Sequence, residues 1–386
     1  MIYNPKASIS YIIPALVVLT ALTIQSRSCH AATNINTHHF GDPRTIVTNR
    51  RSGRENAVYA LSVPNEQTKL SIATRGGGPS LKNIQERAGS TVLLIAPLIL
   101  LIKYGGVKGM IGLIMTVQLG MYFETIRTVE NGSGAARKIG SFLQYQQWHW
   151  FGTVFLATTG RALLLNFGES LSLFGHTLTA TQLDRVVYGM AAVSLLLVVL
   201  GMNGIGKGEE SMTEGEHASE LRFYLSKLVS CQFSLFFVVA QSSFWIRTLA
   251  QYGVNWILFP SLLVIINDTM AYVFGCLFGK HPLLPRLSPK KTWEGFTGAF
   301  LSTLLAAVPL WNQWSLGNNV KDALYIAAFV SIVAPFGGFL ASAVKRAHGA
   351  KDFGDLIPGH GGLCDRLDCH VITAPFIYLY LKGVMG

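Results

Sequence analysis

Charge is scarce in this sequence, and the scarcity excludes a good deal. Only 13% of its 386 residues are Asp, Glu, Lys or Arg, where soluble domains average about 25%. With a mean hydropathy of +0.38, the chain reads as an integral membrane protein, so the soluble-domain count that its length suggests does not apply. Cysteine is sparse too. Cys29, Cys231, Cys276, Cys364 and Cys369 are scattered, odd in number and without zinc-type spacing, which supports neither a disulfide framework nor a metal knuckle. Acids are outnumbered, 20 Asp and Glu against 31 Lys and Arg, for a formal net charge of +11. No basic repeat or RNA-binding signature accompanies that excess, so nucleic acid is not an expected partner. In a membrane protein such an excess marks cytoplasmic loops and contact with membrane lipids or anionic substrates. Internal repeats are also absent.

What is present is a succession of apolar runs, each close to the roughly 20 residues of helix that cross a bilayer. Spans are predicted near 91–106, 108–126, 148–166, 186–204, 223–245, 254–279, 294–312, 323–341 and 370–384. Several are short or broken by Gly and Pro, so the expectation is an all-α polytopic membrane protein of about eight or nine transmembrane helices. Ahead of them, residues 1–32 hold Lys6, an apolar run from Ile9 to Ile24 and then SRSCHAA, the layout of a signal peptide or signal anchor. Residues 33–88 are polar and poor in acids, as in a disordered tail or targeting segment. The remainder divides into N-terminal transmembrane helices (89–250) and a C-terminal transmembrane region (251–386) that holds the polar motifs.

Two charged connectors stand out. KHPLLPRLSPKKTW (280–293) and the stretch from residue 342 to 369 are separated by two predicted spans, so they emerge on one face. Both are rich in Lys and Arg, whereas the connection between those spans, NQWSLGNNVKD (312–322), has one Lys and one Asp. The positive-inside rule then puts both charged connectors in the cytosol or its equivalent, sharing one site.

The chemistry-bearing residues lie in these connectors and in one span. Asp365 and Asp368 in CDRLD are three apart, one face of a helix, where their repulsion would be relieved by a divalent cation held through hard oxygen ligands such as Mg²⁺ prefers. Neutralisation by Arg366 in a solvated loop is the bland alternative. In the preceding PGHGG, Gly361 and Gly362 allow close backbone approach to a phosphate. His360 either donates to a phosphate oxygen or orients the loop. Lys345, Arg346 and Lys351 supply cations for a polyphosphate, or else anchor the membrane interface. Upstream, SPKKT offers Ser288, Lys290, Lys291 and Thr292, with Glu294 close behind; a solvated patch is again the alternative. Asn267 and Asp268 interrupt an apolar span, where a carboxylate is costly and by default functional. Asp268 could therefore complete a metal site with Asp365 and Asp368. GMNGIGK (201–207) mimics a P-loop but has Gly208 where Ser or Thr would hold Mg²⁺, and it follows no strand.

SAVKRAHGAKDFGDLIPGHGGLCDRLD (342–368) resembles the signature of phosphatidate cytidylyltransferases, also called CDP-diacylglycerol synthases: Ser-x-apolar-Lys-Arg, Lys-Asp, Pro-Gly-His-Gly-Gly and Asp-Arg-x-Asp. NDTMAYVFG (267–275) and LSPKKTWEGF (287–296) are similar to the eukaryotic branch. The likeness is firm over about 250–370 and extends back to about 91. It implies a nucleotidyltransferase that uses CTP and phosphatidate, with Mg²⁺ and a candidate second cation. Asp268, Asp365 and Asp368 would then hold metal. Lys345, Arg346, Lys351, Asp352, His360 and Arg366 would form the catalytic set, and Asn267, Ser288, Lys290, Lys291, Thr292, Glu294, Gly361 and Gly362 would contact substrates. A homodimer in the endoplasmic reticulum, with the site facing the cytosol, is the further expectation, a plastid membrane being the alternative. Rival readings are a CTP-dependent polyprenol or phytol kinase and, from another class, an ion-coupled transporter built on Asn267 and Asp268.

Overall fold

The computed structural model describes residues 100–131, 141–167, 172–173, 176–177, 179–204, 213–285, 287–317, 319–350, 352–354 and 361–385. The expected signal segment (1–32) and polar segment (33–88), and Lys351 and His360, lie outside the described residues. Eleven α-helices account for nearly all of the described chain: α1 Gly106–Asn131, α2 Ser141–Phe155, α3 Arg161–Phe167, α4 Ala180–Gly204, α5 Glu214–Ser234, α6 Gln241–Tyr252, α7 Asn255–Phe278, α8 Trp293–Gln313, α9 Val320–Ile332, α10 Pro335–Ala347 and α11 Cys364–Met385. Short π-helical stretches at Leu156–Gly160 and Leu235–Ala240 continue their helices with αR backbone at both ends, whereas the one at Leu101–Gly105 is followed by Gly106 at φ 55°. The strands are two small antiparallel hairpins, β1 (Ser172–Leu173) with β2 (His176–Thr177) and β3 (Pro282–Leu284) with β4 (Ser288–Thr292).

Local chemistry accounts for the helix starts. Thr179 and Gln182 form a reciprocal capping box ahead of α4, the Thr179 N–H donating to the Gln182 side chain at 2.9 Å and the Gln182 N–H to the Thr179 hydroxyl at 3.3 Å. Thr292 caps α8 by accepting from the Gly295 N–H, Asn319 caps α9 by accepting from the Lys321 N–H, and Pro335 opens α10. Gly253, at φ 88°, ends α6.

Among the described residues, five helical segments are long and apolar enough to cross a membrane: Leu101–Glu130, Ala180–Asn203, Ala218–Tyr252, Asn255–Phe278 and Val320–Ala347. The first includes residue 107, where two spans are expected to part, and has a non-helical Gly106 (φ 55°) at that point; the last joins α9 and α10 across a single tight turn. Helices also cover the expected spans at 294–312 and 370–384, though neither reaches the same length and hydropathy. Tyr188, Leu196 and Val199 on α4 are exposed, as apolar side chains are when the surrounding solvent is hydrocarbon.

The interior is continuous across the expected division at residue 250. One cluster packs Met121 and Tyr122 of α1 and Cys231 of α5 against Ala341, Cys364 and Val371 of α10 and α11. A second gathers Trp245, Phe259, Trp311, Ile326 and Ile377. Small residues bring the C-terminal helices close. A Cβ on Gly298 would stand 2.2 Å from the Phe274 ring, and one on Gly295 would stand 2.6 Å from the Ala271 carbonyl oxygen, so α8 can lie against α7 only with glycine there. Gly337 does the same for α10 on α11, 2.5 Å from the Asp368 carbonyl oxygen.

Candidate active site

The turn from α7 into the β3–β4 hairpin and the chain from α10 into α11 lie at the same end of the bundle, as expected from the two intervening spans. Gly338 of α10 marks the meeting point. A Cβ there would lie 3.3 Å from Asp368 Oδ2 and 3.7 Å from Lys291 Nζ. Lys291 comes from β4, and its ammonium also rests 4.6 Å from the centre of the Phe339 ring. Asp268, from the middle of α7, is within Coulombic reach of Lys291, Arg366 and Asp368. Three motifs far apart in sequence thus converge on one polar spot.

Asp268 is exposed by surface area yet densely surrounded by protein atoms. Both hold for a group that lines a recess, and surface area alone would misplace it on a convex face. Its carboxylate has no hydrogen bond or ion pair among the described residues. Asp368, in the first turn of α11 and outside the five spanning segments, is 9% exposed. Burial, and then the Asp268 carboxylate, push its carboxyl up to about 6, against the Cys369 N–H donating at 2.7 Å and the Lys291 ammonium. Two neighbouring carboxylates, one of them held above its ordinary range by the other, are a donor set that a divalent cation would satisfy. Mg²⁺ in particular is held through one or two carboxylates, with water and substrate phosphates completing its shell.

Asp365 does not join them in this structure. Its Oδ1 accepts from Lys345 Nζ at 2.5 Å and its Oδ2 from the Phe353 N–H at 2.9 Å, and both partners of the ion pair are largely shielded from water. Among the described residues no group of three or more His, Cys, Asp or Glu side chains is arranged to hold a metal. Of the three aspartates expected to hold metal, Asp268 and Asp368 are neighbours here, while Asp365 is paired with Lys345.

Several expected substrate contacts have other employment. Asn267 is 4% exposed and donates to Thr303 Oγ1 at 3.3 Å, which places it between α7 and α8 and not in the recess. The Thr292 hydroxyl is committed to capping α8. Glu294 accepts from the Lys280 and His281 N–H groups at 3.1 and 3.2 Å and meets His281 Nδ1 at 2.6 Å, a clasp that closes the α7–β3 turn. Gly362 is needed for proximity within the protein: a Cβ there would lie 2.8 Å from Asp365 Oδ2. Gly361 takes φ 86°, a left-handed backbone that glycine favours. Lys290, Arg346, Asp352 and Arg366 are exposed and Ser288 half-buried, all at this end of the molecule; Arg346 also donates to the Ala350 carbonyl at 3.1 Å.

One participant went unnoticed in the sequence. Glu124 of α1 is 3% exposed, and its carboxylate accepts from the Leu363 and Cys364 N–H groups, both at 2.9 Å. An acid within an apolar span was the available signal.

Residues 85–384 match the model of the cytidylyltransferase family. The chain belongs to that family. It is 31% identical over 354 residues to phosphatidate cytidylyltransferase 1 of Arabidopsis thaliana, covering 78% of this chain and 79% of that one. Phosphatidate cytidylyltransferase 3 of the same plant is 28% identical over 400 residues, 88% of this chain and 79% of the relative. Human phosphatidate cytidylyltransferase 1 is 34% identical over 212 residues, 42% of this chain and 45% of the relative. As a cytidylyltransferase family member, the chain is a nucleotidyltransferase embedded in a membrane.

Proposed function

We propose that this protein is a phosphatidate cytidylyltransferase, converting CTP and phosphatidate to CDP-diacylglycerol and pyrophosphate. The observation that carries the reading is the convergence of Asp268, Lys291 and Asp368 from three separate motifs at one end of a membrane-embedded bundle. A phosphate oxygen of phosphatidate forms a bond to the α-phosphorus of CTP, and the bond from that phosphorus to the bridging oxygen breaks, releasing pyrophosphate. Such a transfer asks the protein mainly for alignment and charge compensation. Lys291, beside the acidic pair, and the exposed Lys290, Arg346 and Arg366 compensate the phosphates of nucleotide and lipid. Asp268 and Asp368 would hold the Mg²⁺. When bound, it offsets charge on the triphosphate and helps align the leaving group. A site at the end of the bundle suits the two substrates, since a lipid phosphate reaches it from the bilayer edge and CTP from water. We assign the protein to the endoplasmic reticulum on its likeness to the eukaryotic branch of the family, and this end to the cytosol on the clustering of basic residues there.

Purified protein in mixed micelles with phosphatidate, Mg²⁺ and CTP labelled at either the α or the γ phosphorus tests the reaction. Label entering lipid from the α position, together with released pyrophosphate, is expected. Lipid labelled only from the γ position would identify a lipid kinase instead.

A further inference from the structure

The bidentate grip of Glu124 links α1 to the start of α11. Leu363 and Cys364 supply successive N–H groups at the start of α11, and both donate to this one carboxylate. Helix N-termini leave such donors unsatisfied and favour negative charge. Here the anion comes from a transmembrane helix more than two hundred residues earlier in the chain. Both neighbouring glycines make room for it: a Cβ on Gly354 would lie 3.2 Å from Glu124 Oε1, and one on Gly362 would lie 3.0 Å from Oε2. One turn further along α1, the Thr128 hydroxyl donates to the Phe353 carbonyl oxygen at 2.7 Å. Phe353 in turn donates its N–H to Asp365, and its ring lies 5.4 Å below the Lys345 ammonium.

We infer that Glu124 and Thr128 are positioning residues for the cytidylyl transfer, α1 holding the first turn of α11 and the segment around Phe353 in register with the acidic pair. Asp365 and Asp368 both lie in that first turn, so a shift there moves one out of its pairing with Lys345 and the other away from Asp268. Two of the N–H groups at the start of α11 are thereby satisfied by a carboxylate. The inference rests on the cytidylyltransferase reading, and the two fail separately. A wild-type protein that releases no pyrophosphate sinks the reading, whereas active wild type with unaffected variants sinks only the inference.

The test uses Glu124→Gln, which keeps the shape but faces one N–H with an amide donor, and Thr128→Val, which keeps the volume and removes the hydroxyl. Expected for Glu124→Gln is a fall in kcat of about 10- to 100-fold, with the KM for CTP changed far less, as outer-shell partners typically give. Amide hydrogen exchange across residues 361–368 should rise in parallel. Thr128→Val should move both readouts in the same direction to a smaller extent. A purely structural role predicts lowered thermal stability with kcat and exchange in this segment unchanged, and that result would overturn the inference. Should Glu124→Gln fail to accumulate in the membrane, Thr128→Val decides by the same two measurements.

Discussion

At Asp368 the surroundings set both the charge state and the role. The carboxyl is pushed up to about 6 by burial and by the Asp268 carboxylate. Below that pH it is protonated and loses its hold on a cation; above it, the pair carries two negative charges that a cation relieves. At Mg²⁺ concentrations below saturation, where proton and cation compete for this carboxyl, turnover should therefore fall as pH drops through about 6. With Mg²⁺ kept below saturation, a pH–rate profile flat between about pH 5 and about pH 8 would remove the cation-holding role. Asp368→Asn keeps the volume and deletes the charge. It should reduce kcat by more than the roughly 10- to 100-fold lost with an outer partner, while gel filtration in detergent still shows a folded protein. Asp365, by contrast, is spoken for by Lys345. Asp365→Asn should act through the Lys345 and Phe353 contacts and leave the Mg²⁺ concentration for half-maximal activity nearly unchanged, which a titration would show.

Among the elements, the pair α7 and α8 sets the geometry of the recess. Asp268 is carried by one, and Lys291 immediately precedes the other. Their close approach depends on Gly295 and Gly298, where any side chain would collide with Ala271 and Phe274. Gly298→Val should overpack this contact at a cost of about 1–3 kcal/mol, seen as a lower unfolding temperature in detergent. Activity should fall with it, because separating the helices displaces Asp268 from Lys291. Away from the charged end, Trp256 and Phe259 of α7 pack edge-on to Trp311 of α8 at 5.6 and 5.5 Å inside the core, which fixes the two helices against each other.

Over the whole molecule, the halves are not independent. Met121, Tyr122 and Cys231 share a core with Ala341, Cys364 and Val371, and Glu124 reaches the start of α11. A fragment of residues 251–386, although it carries every recognised motif, should show no pyrophosphate release in membranes. Full turnover by that fragment would show α1 to be dispensable.

The membrane class, the charged end and the pairing of the two basic connectors were legible in the sequence, because hydropathy, charge asymmetry and the parity of spans are properties of chain order. The recurrence of Asp268, Lys291 and Asp368 at one spot followed from that parity. The division of labour among polar residues did not. Asn267, Thr292 and Glu294 have the same chemistry whether they meet a substrate or a neighbouring helix, and only packing decided that they bind Thr303, the Gly295 N–H and the α7–β3 turn. The partner of Asp365 and the reach of Glu124 were likewise decided in three dimensions, since a hydrogen bond between residues 124 and 364 leaves no trace in the local pattern of either segment.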